Sequence, residues 1–436
     1  MLPPRAFSPF VLWLERSAPW LAAKLGKRRS CPLRKDGLPF QAALCVRPPV
    51  QGPNGILPLL HFPVRAALLP TLFALTLPLA GCFEKKHSSA AAIVIALEAP
   101  LTGAQTSNGQ DMLRGVQLAV EEVNRAGGVL GRPVVLVSAD DRADPTQALA
   151  VAARVKQEGA VAVIGPYNSG VGLVNLPQYT RDGIVPVHLT SSDDTTGQGV
   201  TLQPKNSQIS PPEIAYIAAL QPTTVALLVD PSAYTSSMAQ RMEAGLMARG
   251  ITAIRLAITP GRADYTDVVR QSLDLQPQVV YVSTYFPEGG LIAKALATEA
   301  AGGRNAACFM GLANQDPDFV ATAGIADSRR CVFSGVPEPD QMPSATNYAA
   351  AYRARFSGTN PGVWGTFTYD SAKLLFRAMT EARTTSFEPV LGQLRATTNY
   401  LGATGPITID PQTGNRPNVP VRILGVNASG NFVVLP

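Results

Sequence analysis

Leu79-Ala80-Gly81-Cys82 is the stretch of this chain whose residue types point most directly to a chemical event. Small residues directly before a cysteine, behind the apolar run from Ala66 to Pro78, form the pattern of a bacterial lipoprotein signal peptide, with Cys82 as the acylated residue. The run has about 15 residues, the length of a signal h-region and short of the ~20 that a membrane-spanning helix needs. Arg65 supplies a positive charge ahead of it, and Pro70 and Pro78 suit a segment that is cleaved better than a lasting helix. A buried core helix with a chance cysteine is the alternative.

Two hydroxyl-rich loops are the next candidates. Gly165-Pro166-Tyr167-Asn168-Ser169-Gly170 lacks both the P-loop lysine and the G-x-G-x-x-G spacing, so it is no phosphate loop. It does set hydroxyl and backbone donors after an expected strand and before an expected helix, where open α/β sheets bind ligands and a helix N-terminus favours an anion. Thr190-Ser191-Ser192 follows the next strand at the equivalent end. Together they read as a carboxylate cradle or, equally on composition, as ordinary turns and caps. Other chemistry is poorly supplied. His87 and His188 are the histidines after Cys82, and no His/Cys/Asp/Glu cluster has metal-ligand spacing, so no metal and no cofactor are expected. Ser169 and His188 lack a third group for a nucleophilic triad, and no enzyme activity is expected. Cys308 and Cys331 form an even pair in an exported chain: a disulfide, or two buried thiols.

The elements that must position these residues alternate β-like runs with amphipathic helices, the pattern of parallel α/β layers. A strand at 92–97 leads to a helix with Ser107 and Gln110 at capping-box spacing and apolar Met112, Val116, Ala119, Val120 and Val123, stopped by Gly127-Gly128. Strands at 134–137, 161–164 and 185–189 and helices at 145–158 and 171–182 complete a first doubly wound set. A second set starts at Ser210-Pro211-Pro212-Glu213, read as a capping box with proline at the first helical position. Its strands are expected at 225–229, 253–256, 279–283, 308–311 and 332–335, and its helices at 236–249, 266–273 and 289–301. Two more helices follow, at 345–356 and 367–382. The end is hairpin-like: 407–410 and 419–424 joined through Thr413-Gly414-Asn415.

The charge is unevenly placed. Residues 1–81 hold ten of the 37 Lys and Arg and two of the 31 Asp and Glu, so the rest of the chain sits near −2, not +6. The basic balance belongs to the leader, and no nucleic-acid partner follows from it. Residues 1–60 show no sustained helical or strand period. We read them as a start placed too far upstream, the true one falling near 60–64, with a long leader or membrane-docking extension as the alternative.

Eight motifs stand in order along the chain: Ala99-Pro100-Leu101-Thr102-Gly103, Gly115-Val116-Gln117-Leu118-Ala119, Asp140-Asp141 with Asp144-Pro145, Ile164-Gly165-Pro166, Tyr281 to Pro287, Phe309-Met310-Gly311, Phe367-Thr368-Tyr369-Asp370-Ser371-Ala372 and Gly405-Pro406-Ile407-Thr408. Taken together, they resemble the branched-chain amino-acid-binding proteins of ABC importers. The resemblance spans about Ile93 to Val426. It implies an α/β type I periplasmic-binding-protein fold: two Rossmann-like lobes with parallel sheets, joined by three hinge crossovers, with the ligand between them. The expected organisation is a leader at 1–81, a tether at 82–91, lobe I at 92–210, lobe II at 211–336, a return to lobe I at 337–417 and to lobe II at 418–436. Carried over by position, the family's carboxylate cradle falls on Ser169, Thr190 and Ser192, and its second-lobe tyrosines fall on Tyr234 and Tyr285. The glutamate that meets the ligand's ammonium falls on Ala313, with Asp316 and Glu288 as the acids that could stand in. The first-lobe aromatic cover falls on Asn108. A buried ammonium without a carboxylate costs several kcal/mol, so a carboxylate, amide or urea-like ligand is as credible as leucine.

The resemblance thus implies a monomeric, lipid-anchored solute-binding protein of the cell envelope that closes over a small ligand and delivers it to an ABC permease. An envelope lipoprotein of the same fold that binds and regulates a protein partner, such as a peptidoglycan synthase, is the alternative.

Overall fold

The computed structural model describes residues 91–436; the leader, Cys82 and nearly all of the tether lie outside the described residues. The chain first forms β1 (Ile93–Ala99), α1 (Thr106–Arg125), β2 (Val134–Asp140), α2 (Ala148–Gln157), β3 (Ala162–Ile164), α3 (Ser169–Arg181), β4 (Val185–His188) and β5 (Val200–Thr201). These strands make a parallel sheet in the order β2-β1-β3-β4-β5. The next stretch contains α4 (Asn206–Ala219), β6 (Thr224–Val229), α5 (Ala233–Met247), β7 (Thr252–Ala257), α6 (Thr266–Asp274), β8 (Val279–Ser283), α7 (Phe286–Ala301), β9 (Ala307–Met310), α8 (Pro317–Ala323), α9 (Ile325–Ser328) and β10 (Cys331–Gly335). The last holds α10 (Thr346–Arg355), α11 (Val363–Ala382), α12 (Phe387–Arg395), the hairpin β11 (Tyr400–Gly402) and β12 (Gly405–Ile407), and the strands β13 (Arg422–Val426) and β14 (Phe432–Val434).

The second sheet runs β14-β13-β10-β9-β8-β6-β7, parallel from β7 to β10 and antiparallel at β13 and β14. The chain therefore passes between the sheets three times: near Gln203–Asn206, after Gly335, and between Arg416 and Arg422. Both sheets carry helices on both faces, which is why their central strands read as continuous apolar runs. On β1, Ile93, Ile95 and Leu97 enter one core while Ala96 enters another. On β6, Ala226 and Leu228 face one core and Val225, Leu227 and Val229 face the other.

The return to the first lobe is sealed by α11 against α1. A Cβ on Gly115 would lie 2.0 Å from the Gly365 carbonyl oxygen, so only glycine permits this approach. Asp111 on α1 accepts the Gly362 and Gly365 N–H groups at the start of α11 and a hydrogen bond from the Tyr352 hydroxyl.

Three local expectations fail. Ser107 does not cap α1; Gln105 is the N-cap, and the Ser107 hydroxyl points to Asp316 across the cleft. The helix expected from Ser210 begins at Asn206, with Lys205 as N-cap and its N–H donated to Gln208 Oε1 at 2.9 Å; Pro211 and Pro212 lie inside it. Both prolines stand six or seven residues into the helix, past the first turn where a missing N–H costs nothing. The expected terminal hairpin through Thr413-Gly414-Asn415 does not form. Ile407 pairs with Tyr400 through the Ala403-Thr404 turn, and β13 pairs with β10 and β14. Asp370 fixes that turn by accepting the Ala403 and Thr404 N–H groups.

β9 and β10 place Cys308 opposite Cys331, and the two are joined as a disulfide with Cα atoms 4.5 Å apart. Among the described residues, no helix is long and apolar enough to cross a membrane, and no group of three or more His, Cys, Asp or Glu could hold a metal ion.

Candidate functional site

The loops at the carboxyl ends of both sheets meet in a small chamber, the place where open α/β sheets bind ligands. Its wall is formed by Tyr167 and Ser169 after β3, Ser191 after β4, Gln203 after β5 and Trp364 on α11, facing Tyr234 after β6, Tyr285 after β8, and Leu312 and Ala313 after β9. The space left between these walls is about 10 Å³, room for about one water, so a larger solute needs the lobes to stand further apart.

Each lobe contributes an aromatic pair. Tyr167 and Trp364 stand 5.4 Å apart, Tyr234 and Tyr285 5.9 Å. Local geometry holds them. Gly165 (φ +104°) lets the loop after β3 pass the Glu98 carbonyl, which a Cβ would meet at 2.0 Å. Beneath it, Glu98 is fully buried and accepts hydrogen bonds from Tyr179 and Asn175, and burial holds its carboxyl well above the usual range. On the other lobe, Asp230 accepts the Ser232 N–H at 2.8 Å and the Thr235 hydroxyl at 2.6 Å, fixing the turn that starts α5 and aims Tyr234. Burial raises the phenols of Tyr167, Tyr234 and Tyr285, so all three stay neutral donors.

The polar residues divide sharply. Ser169 Oγ accepts the Ser192 N–H at 3.1 Å, and Ser191 Oγ accepts Gln203 Nε2 at 2.8 Å. Ser169, Tyr234, Tyr285 and Ala313, expected from the sequence, come together here. Thr190, Ser192 and Asn108 do not line the chamber. The Thr190 hydroxyl is turned into the lobe, on His188 Nδ1 at 2.9 Å and Thr195 Oγ1 at 2.6 Å. Ser192 Oγ caps the short turn at Asp193–Thr195, accepting the Asp194 N–H at 3.3 Å. Ser191 between them faces the other way, as alternation along an extended strand end requires. Asn108 is buried, with no partner for Nδ2 among the described residues, and the aromatic cover comes from Trp364 instead. Tyr167 lies in the loop singled out from the sequence, whereas Gln203, Trp364 and Leu312 carried no signal as isolated residues and only the topology gathers them.

Among the described residues, no charged one stands on the wall. Asp316 lies at the N-cap of α8, taking the Asp318 N–H at 2.7 Å and facing Ser107 at 3.3 Å, and burial pushes its carboxyl up to about 7. Glu288 accepts the Gly261 N–H at 3.0 Å. Neither stands in for the carboxylate missing at Ala313. The buried Lys205 places its ammonium on Thr195 Oγ1 at 2.7 Å and Thr190 O at 3.2 Å, and desolvation lowers it to about 8.

The lobes also touch outside the chamber. Arg241 on α5 donates to Asp193 at 2.7 and 2.9 Å, and Ser107 reaches Asp316. The cleft is thus closed around a space with hydroxyl donors and aromatic faces from both lobes.

A chain of this architecture, with this cleft, is a member of the periplasmic binding protein family, whose model matches residues 92–431. It is similar to the Leu/Ile/Val-binding protein BraC3 of Rhizobium johnstonii, at 32% identity over 65% of this chain and 78% of that protein. The Leu/Ile/Val/Thr-binding protein of Salmonella typhimurium is 27% identical over 66% of this chain and 81% of its own length. Among solved structures, the leucine binding protein LivK of Thermotoga maritima superimposes with a TM-score of 0.72 at 22% identity, covering 79% of this chain and 98% of its own. A solute binding protein of an ABC transporter from Rhodopseudomonas palustris, in complex with 3,4-dihydroxybenzoic acid, does so at 0.71 and 18%, covering 79% and 96%. These structures establish the type I fold with its two lobes.

Proposed function

We propose that this protein is the solute-capturing component of an ABC importer, anchored outside the cytoplasmic membrane through acylated Cys82, and that it catalyses no reaction. Its two lobes close over one small carboxylate- or amide-bearing solute, an amino acid or an analogue, and the closed form is what the permease recognises. The observation that carries this reading is the chamber itself: small, lined from both lobes, and flanked by contacts that exist only when the lobes meet. The names of its relatives, binders of Leu, Ile and Val, and the ABC-transporter title of a structural neighbour support the same class of cargo and partner.

A thermal-shift screen of the purified protein against amino acids, small carboxylates and small amides tests this. A solute at 100 times its Kd adds about 2.7 kcal/mol to stability, a rise in Tm that a screen detects readily. No shift with any solute, together with no small molecule retained by the protein in native mass spectrometry, would contradict solute capture and favour a protein partner.

A further inference from the structure

Gln203 carries an unanswered hydrogen bond. It is 2% exposed and on the chamber wall, its Nε2 is engaged by Ser191, and its Oε1 has no partner among the described residues. A buried acceptor left without a donor costs about 1–3 kcal/mol, so a ligand that supplies the donor is strongly selected. Around it, Ser191 Oγ already accepts from Gln203 and Ser169 Oγ accepts from Ser192, so each hydroxyl has its proton left to give. No described protein acceptor takes either proton.

We infer that Gln203 is a specificity-determining residue of this site and that, with Ser169 and Ser191, it reads an uncharged carboxamide head group on a small apolar body. The amide oxygen takes the two seryl protons, the amide NH₂ gives one hydrogen to Gln203 Oε1, and the body lies between the pairs Tyr167/Trp364 and Tyr234/Tyr285. A carboxylate in the same place sets a negative oxygen against Oε1 with no cation on the wall. An α-ammonium finds no carboxylate there, since Ala313 occupies that position and Asp316 and Glu288 are turned to Ser107 and Gly261.

This inference rests on the solute-binding reading above, and the test separates the two. Isothermal titration of the purified protein with 4-methylpentanamide, 4-methylpentanoate and leucine varies only the head group. The amide should bind at least tenfold more tightly than either of the others. In Gln203→Met, which keeps the volume and removes the acceptor, that preference should fall to nearly none. Gln203→Glu, whose carboxylate keeps an acceptor but takes the Ser191 proton, should hold the amide more weakly than the native protein and still prefer it to the pentanoate; it decides the matter if the methionine variant does not fold. Tighter binding of the pentanoate or of leucine overturns the carboxamide assignment and leaves solute capture intact. If none of the three binds, the assignment is also overturned. Native mass spectrometry then decides on capture: a retained solute preserves it, and its absence removes both.

Discussion

Ser191 and Gln203 separate what residue types reveal from what only the fold reveals. The motif Thr190-Ser191-Ser192 marked the right loop, yet the chamber takes its middle member, because Thr190 and Ser192 turn to His188 and Asp194. That choice depends on the register of β4 as it leaves the sheet, which hydroxyl composition does not encode. Ser169 was legible, since a serine between a strand and a glycine-led helix start has few other uses. Two substitutions test the assignment. Ser191→Ala should weaken solute binding by roughly five- to a hundredfold, the range for one lost buried hydrogen bond, and lower stability by about 1–3 kcal/mol because Gln203 Nε2 loses its acceptor. Thr190→Val should lower stability by a similar amount, about 1–3 kcal/mol, with affinity retained. Titration calorimetry and denaturant melts read both outcomes, and a loss of affinity only in the threonine variant would restore the original register.

At the scale of elements, the parallel strands and most helices were readable, because strands buried on both faces spell continuous apolar runs and helices between them keep a 3.6 period. The misread elements are those held by tertiary contacts. Helix α4 starts four residues before its expected cap and carries two prolines past its first turn. It is anchored by Glu213, whose carboxylate accepts from Tyr281 at 2.8 Å and from Ser334. Burial raises that carboxyl to about 7. A carboxyl raised in the folded state makes the protein lose stability as pH climbs from the ordinary glutamate value of 4.5 toward about 7, by about 3 kcal/mol in all. Glu213→Gln should reduce, by its own share, the slope in unfolding free energy measured between pH 5 and 8, the rest coming from other raised carboxyls such as Asp316; an unchanged slope would show that Glu213 ionises freely. The β9–β10 register makes a separate prediction. Alkylation of the denatured, unreduced protein should label neither Cys308 nor Cys331, and reduction should destabilise the fold by about 3 kcal/mol; full labelling of both would mean free thiols.

For the whole molecule, the order of segments carries the function: three passes between two sheets make a hinge, and a chamber closed from both sides follows from it. The leader predicts where this machine works. Mass spectrometry of the envelope protein should find Cys82 as the acylated N-terminus, and residues 1–81 still attached would refute lipid anchoring. The central claim is closure on a solute. It is tested most directly by the distance between spin labels at exposed Leu149 in the first lobe and Met247 in the second, each changed to Cys, during titration with the solute that raises Tm most. The account predicts a saturable shift from a long, broad distance distribution to a shorter, narrow one, with its midpoint displaced to higher solute by Ser169→Ala. One unchanging distance throughout a titration that binds solute would contradict it.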